Sequence, residues 1–233
     1  QGNVWVYFGE RPAAVEDIPR LPGLADDARY QHAECMTFEA EADHAVIGLM
    51  DPAHGPYVHR AWWWRTPRSI HEKQKRFEPS HLGFTMVRHR PSSNSRAYAV
   101  LGGVPQTEIA FRLPGVRIEQ VQTERHLYCG LTAITPIDGQ RTRVSHVMYW
   151  TMPWLNLFKP LVGRFARAFL DQDRRVVARQ QQGLRFNPRL MLINDADQQA
   201  RWYFQLKREY QRAMDSGEPF RNPVEAAILS WRS

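Results

Sequence analysis

Cysteine is nearly absent from this sequence: 233 residues contain only Cys35 and Cys129. Two distant thiols in a chain with no secretory features are expected to be free core residues, not a disulfide. They are also too few to hold an iron–sulfur cluster by themselves. Long apolar runs are missing as well. Each is cut short by Arg, His or Pro, well below the ~20 residues that a membrane span needs. The opening residues lack the charged start and apolar run of a secretory signal, so the expected compartment is the cytoplasm. Like charges are not clustered either. The net charge of +7 and pI near 9.7 come from scattered Arg and Lys with no nucleic-acid motif, and suit an acidic redox partner better than nucleic acid. No HExxH zinc signature, internal repeat or low-complexity segment occurs.

What is present is an ordinary globular composition, 43% hydrophobic and 24% charged with a mean hydropathy of -0.54. Residues 1–10 read as a strand (VWVYF), and residues 11–30, with their prolines, as an extended connector. A strand is expected over about His32–Ala40, then a helix over Glu41–Ala53 that Gly55 and Pro56 interrupt. From Ser69 to Trp150 short β-like runs (SIHEKQKRFE, HLGFTMVRHR, EIAFRL, VRIEQVQT, HLYCGLTAI, RVSHVMYW) alternate with turn signals. A long amphipathic helix follows over Leu155–Gln182, ended by Gly183, and a second over Asp197–Met214. The expected fold class is α+β: one curved antiparallel sheet gripping a long C-terminal helix on its concave face, a helix-grip arrangement of the START/Bet v 1 type.

The chemistry concentrates in two places. Gly48-Leu-Met-Asp51-Pro-Ala-His54-Gly-Pro-Tyr-Val-His59 carries two histidines that an unbroken helix would point about 140° apart. Gly55 and Pro56 break that helix, so the chain can turn and aim both imidazoles at one point. Such a pair suits iron, copper or zinc alike. The second place is Asp171-Gln-Asp173-Arg-Arg-Val176-Val177. At helical spacing Asp173 falls on the apolar stripe with Phe169, Leu170, Val176 and Val177, whereas Asp171 shares a polar stripe with Arg167, Arg174 and Arg175. A carboxylate buried alone would cost several kcal/mol, so Asp173 is expected to bind a metal or an arginine. Two histidines and one carboxylate leave three octahedral positions open, as in the facial triad of Fe(II) oxygenases.

The run Asp51-x₂-His54-x₄-His59, followed more than a hundred residues later by Asp171-Gln-Asp173, resembles the catalytic domain of Rieske non-haem iron oxygenase α-subunits. It is most similar to the branch with dicamba and vanillate O-demethylases and pheophorbide a oxygenase. The resemblance implies Fe(II) held by His54, His59 and Asp173, with Asp51 as the acid bridging electrons from the two-iron two-sulfur Rieske cluster of a neighbouring subunit in a ring-shaped homotrimer. It also implies O₂ as co-substrate and a ferredoxin or reductase as electron donor. Gly48 stands where many members have an asparagine, and the cluster motif Cys-x-His with Cys-x₂-His is absent. Residues 1–30 are therefore expected to be the end of a Rieske domain and its connector, with 31–233 the catalytic domain and the cluster upstream or on another chain.

Asp51, three residues before His54, is also placed to hydrogen-bond a ligand imidazole. Phe84, Met86, Phe111, Ile118, Leu131 and Met148 lie on expected strands and are candidates for an apolar pocket, which favours a small apolar aromatic or polycyclic substrate. Trp62, Trp63 and Trp64 are candidates for its wall. His71, His81, His89, His126 and His146 have no partner at ligand spacing. A rival reading is a non-enzymatic carrier of hydrophobic ligands, since the same fold makes a good cavity; a zinc hydrolase is a third.

Overall fold

The β-patterned run from Glu72 to Trp150 folds as a meander, because its alternating side chains have two apolar layers to meet. The computed structural model describes residues 1–7, 9, 14–59, 70–91 and 101–233. In chain order these form β1 (His32–Phe38), α1 (Ala42–Met50), α2 (Gly55–Val58), β2 (Glu72–Ser80), β3 (Gly83–His89), β4 (Gln106–Arg112), β5 (Val116–Gln122), β6 (Leu127–Pro136), β7 (Thr142–Trp150), α3 (Lys159–Gly183), α4 (Gln198–Ser216) and β8 (Ala227–Arg232). All eight strands share one antiparallel, curled sheet in the order β1-β7-β6-β5-β4-β3-β2-β8.

Both faces of the sheet are covered. On the outer face Leu21, with Leu24 beside it, packs on Val116, Ile118, Cys129, Leu131, Val147 and Tyr149. The Tyr149 hydroxyl fastens that cover, donating to the Gln1 carbonyl at 2.8 Å and accepting from Asn3 Nδ2 at 2.7 Å. On the inner face α4 sets Trp202 and Tyr203 against Phe77, Phe84 and Phe111. The long helix α3 runs beside β1 and presents Phe165, Ala166, Phe169, Leu170 and Asp173 to the inner face.

Several expectations need correction. Residues 1–7 form no strand, and Val4 to Tyr7 lie exposed. The first helix stops at Met50, three residues early, where Asp51 leaves the helical region and its Oδ1 accepts the Ala53 N–H at 2.7 Å in an Asx-type turn. A 3-10 turn, Pro153–Phe158, replaces the first turn of the expected long helix. Cys35 is exposed on the edge strand β1, not in the core, while Cys129 is buried. The strand β8 has no counterpart in the sequence reading. Trp62, Trp63 and Trp64 lie outside the described residues.

Helices α1 and α4 are tied by one carboxylate. Asp43 accepts from the Tyr203 hydroxyl at 2.6 Å and from Lys207 Nζ at 2.5 and 2.8 Å. An Asp43→Ala variant should lose about 1–2 kcal/mol in urea denaturation, since it leaves the buried Tyr203 without its acceptor. Because α1 leads directly to the histidine segment, this tie also sets where that segment begins.

Candidate metal centre

Three elements converge below the inner face. His54 precedes α2 and keeps a helical backbone (φ -62°, ψ -28°), while Gly55 and Pro56 open the short helix and His59 closes it at φ -91°, ψ 66°. The expected break between the histidines is thus not found: the chain is helical from His54 to Val58 and leaves the helix earlier, at Asp51, and the two rings stand with centroids 5.0 Å apart, nearly edge to face. Asp173 comes from the middle of α3, buried as its place on the apolar stripe requires, with Leu170 and Val177. Val176, expected on that stripe, is exposed instead. Asp171 forms the expected surface ion pairs with Arg174 and Arg175, at 2.6 and 2.7 Å.

The donor atoms face one another. His54 Nε2 lies 3.1 Å from His59 Nε2, and Asp173 Oδ1 lies 3.3 Å from His59 Nε2 and 3.8 Å from His54 Nε2. Backbone and side-chain acceptors fix both tautomers. His54 Nδ1 is bonded to the Asp51 carbonyl oxygen, and His59 Nδ1 to Gln172 Oε1 at 3.0 Å. These oxygens accept only, so each Nδ1 carries a proton and Nε2 is the nitrogen that each ring aims inward. Two lone pairs and a carboxylate oxygen at such distances repel one another unless a proton or cation lies among them. Donors about 2.1 Å from a first-row cation stand roughly 3.0–3.4 Å apart. Two of the three separations fall in that range, and the third, His54 Nε2 to Asp173 Oδ1 at 3.8 Å, would have to shorten by a few tenths of an ångström for one ion to take all three. Among the described residues this is the one group of three or more such side chains close enough to share an ion.

Two of the three groups, His59 and Asp173, are buried, while His54 is partly exposed. His59 is 3% exposed and stacks on Phe169, with ring centroids 3.6 Å apart and planes at 13°. Burial pushes the Asp173 carboxyl up to about 6, against the opposing pull of His54 and Arg117. Gly48 permits the close crossing of α1 on α3: a Cβ there would stand 3.1 Å from Val177 Cγ2.

A cavity of about 380 Å³ adjoins these groups. Met86 and Met148 line it, as do Asp51, His54, His59 and Asp173. Phe84 and Phe111 do not; they are packed beneath α4. Ile118 and Leu131 point to the outer face, because strand alternation gives the inner face to Arg117, Glu119 and Thr132. Asp51 differs from expectation in how it meets His54, through its backbone carbonyl instead of its carboxylate. The sequence reading missed Gln172, adjacent to Asp173, and the cavity-lining His89 and His146. His146 Nδ1 bonds the Thr132 hydroxyl at 2.8 Å, and burial pushes its ring down to about 4, so it is neutral at physiological pH.

Comparison with known proteins places this arrangement. Residues 38–206 match the model of the vanillate O-demethylase oxygenase C-terminal domain. A search of curated proteins by sequence finds no match. Among solved structures, dicamba monooxygenase bound to dicamba is similar at 14% identity and a TM-score of 0.59, over 80% of this chain and 58% of that one. The NdmA QL mutant of Pseudomonas putida CBB5 with theobromine is similar at 15% identity and a TM-score of 0.58, over 87% and 57%. The chain thus spans less than two thirds of each, and at these identities the likeness establishes the fold.

Proposed function

Because the chain belongs to the family of vanillate O-demethylase oxygenase C-terminal domains, we propose that it is the catalytic part of a Rieske-type oxygenase that hydroxylates or oxidatively demethylates an aromatic or polycyclic substrate. The observation that carries this reading is the inward convergence of His54 Nε2, His59 Nε2 and Asp173 Oδ1 at the cavity wall. On this reading the three residues hold Fe(II), which when bound supplies the reductive activation of O₂. The Asp51 carbonyl and Gln172 each take the Nδ1 proton of a ring and so aim its Nε2 at the ion, and Phe169 covers the face of the His59 ring. Asp51 lines the cavity and would be the acid that bridges to a Rieske cluster held by a neighbouring subunit of a homotrimer. A ferredoxin or reductase would supply electrons to such a cluster, and residues 1–30 would connect a Rieske domain to the catalytic domain at 31–233. No helix of the described residues is long and apolar enough to cross a membrane.

Anaerobic reconstitution with Fe(II), followed by metal analysis, tests the proposal. Wild type should hold about one iron per chain and His54→Ala almost none, since a site reduced to two ligands binds weakly. Equal iron in both would favour a ligand carrier of the same fold. Gln172→Ala should weaken iron binding by about 10–100-fold while leaving the fold intact, because it removes only the acceptor that orients His59.

A further inference from the structure

The segment that leads from β7 into α3 carries apolar side chains into water. Its 3-10 turn, Pro153–Phe158, is fastened from inside: Met152 is buried, Leu155 lines the cavity, and Asn156 Oδ1 accepts from Trp150 Nε1 at 2.9 Å. The same turn leaves Trp154, Leu157 and Phe158 exposed, and Leu161 and Phe165 follow at i and i+4 on the first turns of α3. Leu157 is 82% exposed and Leu161 65%, so these side chains stand out from the core as a ridge. Trp154 and Phe158 pair edge to face on it, with ring centroids 6.3 Å apart. An anchored apolar patch of this kind marks a contact site. Phe165 is part of the ridge and also lines the cavity, so the ridge borders an opening of that cavity.

Charge narrows what the contact is. Thr151 to Leu170 contains no Asp or Glu. Of its three cations, Arg167 pairs with Glu34 at 2.9 Å, whereas Lys159 and Arg164 form no ion pair with a carboxylate of the described residues. Tryptophan, phenylalanine and leucine interleaved with such cations suit the boundary of an anionic bilayer, whose headgroups take the charge while its upper acyl region takes the apolar side chains. A second copy of a chain with net charge +7 offers no comparable anionic surface. A protein seated here would also cover the opening beside Phe165.

We propose that Trp154, Leu157, Phe158 and Leu161, flanked by Lys159 and Arg164, dock this chain reversibly on the surface of an anionic phospholipid bilayer, with the cavity opening at Phe165 turned to the lipid. That the cavity then draws an apolar substrate from the bilayer rests on the oxygenase reading; the docking itself does not.

Co-sedimentation of the full, metal-free chain with vesicles tests the docking. At low salt, binding should be at least about tenfold stronger to vesicles with about one third phosphatidylglycerol than to pure phosphatidylcholine. Leu157→Ser combined with Leu161→Ser should weaken it by about tenfold or more. Lys159→Gln and Arg164→Gln should weaken it by about fivefold each, on the anionic vesicles only. All are surface substitutions and should keep the wild-type melting midpoint. Phe186→Ser is the control: Phe186 is 87% exposed but lies past the far end of the 25-residue α3, roughly 37 Å along it, and its loss should change nothing. Lipids brominated on their acyl chains should quench tryptophan fluorescence, and Trp154→Phe should remove most of that quenching. No vesicle binding by wild type, an equal loss in Phe186→Ser, or quenching that survives Trp154→Phe would overturn the docking. An oligomer that the leucine variant dissociates while vesicle binding persists also overturns it, because the ridge is then an interface between copies. Vesicle binding by protein that takes up no iron on reconstitution supports the docking and removes the oxygenase reading; iron uptake without vesicle binding does the reverse.

Discussion

Metal-free Asp173→Asn protein should be more stable than wild type at pH 7.5, by up to about 3 kcal/mol, and should lose stoichiometric Fe(II) binding. The sign follows from burial. The folded state lifts the Asp173 pKa from 3.8 to about 6. A carboxyl with a raised folded pKa contributes its stability below the unfolded value and loses it as pH rises through the folded value. Wild type and variant should therefore be alike below about pH 4, diverge between pH 4 and 6, and stay apart above that. Asparagine carries no charge at any of these pH values, and its amide can donate to the inward lone pairs of His54 and His59. Iron reverses the order, because wild type gains stability with free metal by mass action and the variant does not. Urea denaturation at a series of pH values, with chelator and then with anaerobic Fe(II), reads both effects. A variant less stable than wild type in chelator at pH 7.5 would show that Asp173 is compensated by protonated imidazole and not held for a metal.

This cost explains why the metal site could be read from the sequence at all. An aspartate at i, i+3 and i+4 spacing from Leu170 and Val177 contradicts the local pattern, and such contradictions collect at functional sites. The histidine pair was legible from its spacing around Gly55 and Pro56, although these two residues open α2 and the helix before them ends at Asp51. The meander was legible from alternation and turn residues. The cavity was not. On β5 the sequence VRIEQVQ reads as apolar inside and charged outside, yet Val116 and Ile118 pack under Leu21 while Arg117 and Glu119 face the cavity. On β2, Lys73 and Lys75 look like a solvated edge and point inward. Alternation tells which residues share a face, but not which face holds the ligand when both are covered. Gln172 was hidden differently: its partner His59 is 113 residues away, and only the α2–α3 packing joins them.

The strand that the sequence did not announce depends on one aromatic residue, and Phe77→Ala should show it with a loss of about 3–5 kcal/mol in equilibrium denaturation. Phe77 is fully buried and meets the rings of Phe84 at 6.3 Å, Trp202 at 5.6 Å and Trp231 at 6.4 Å, on β3, α4 and β8 respectively. Removing it opens a void shared by all three elements, and the ring pairs add to the lost burial. The expected cost is a large part of the ~5–15 kcal/mol by which a domain is usually stable. Phe77→Leu refills most of the volume and should cost less than about 1.5 kcal/mol, and Ile228→Ala, at an exposed β8 position, less than about 0.5 kcal/mol. The loss should also be local at first. Among the described residues β8 lies at the sheet edge and pairs with β2 alone, beginning opposite Phe77 at Ala227. Its amides should therefore lose hydrogen-exchange protection in Phe77→Ala before those of β6, which is flanked on both sides. Equal protection of β8 and β6 in that variant would place the anchor of the C-terminal strand elsewhere, in the Lys73, Trp231 and Ser233 contacts at its far end.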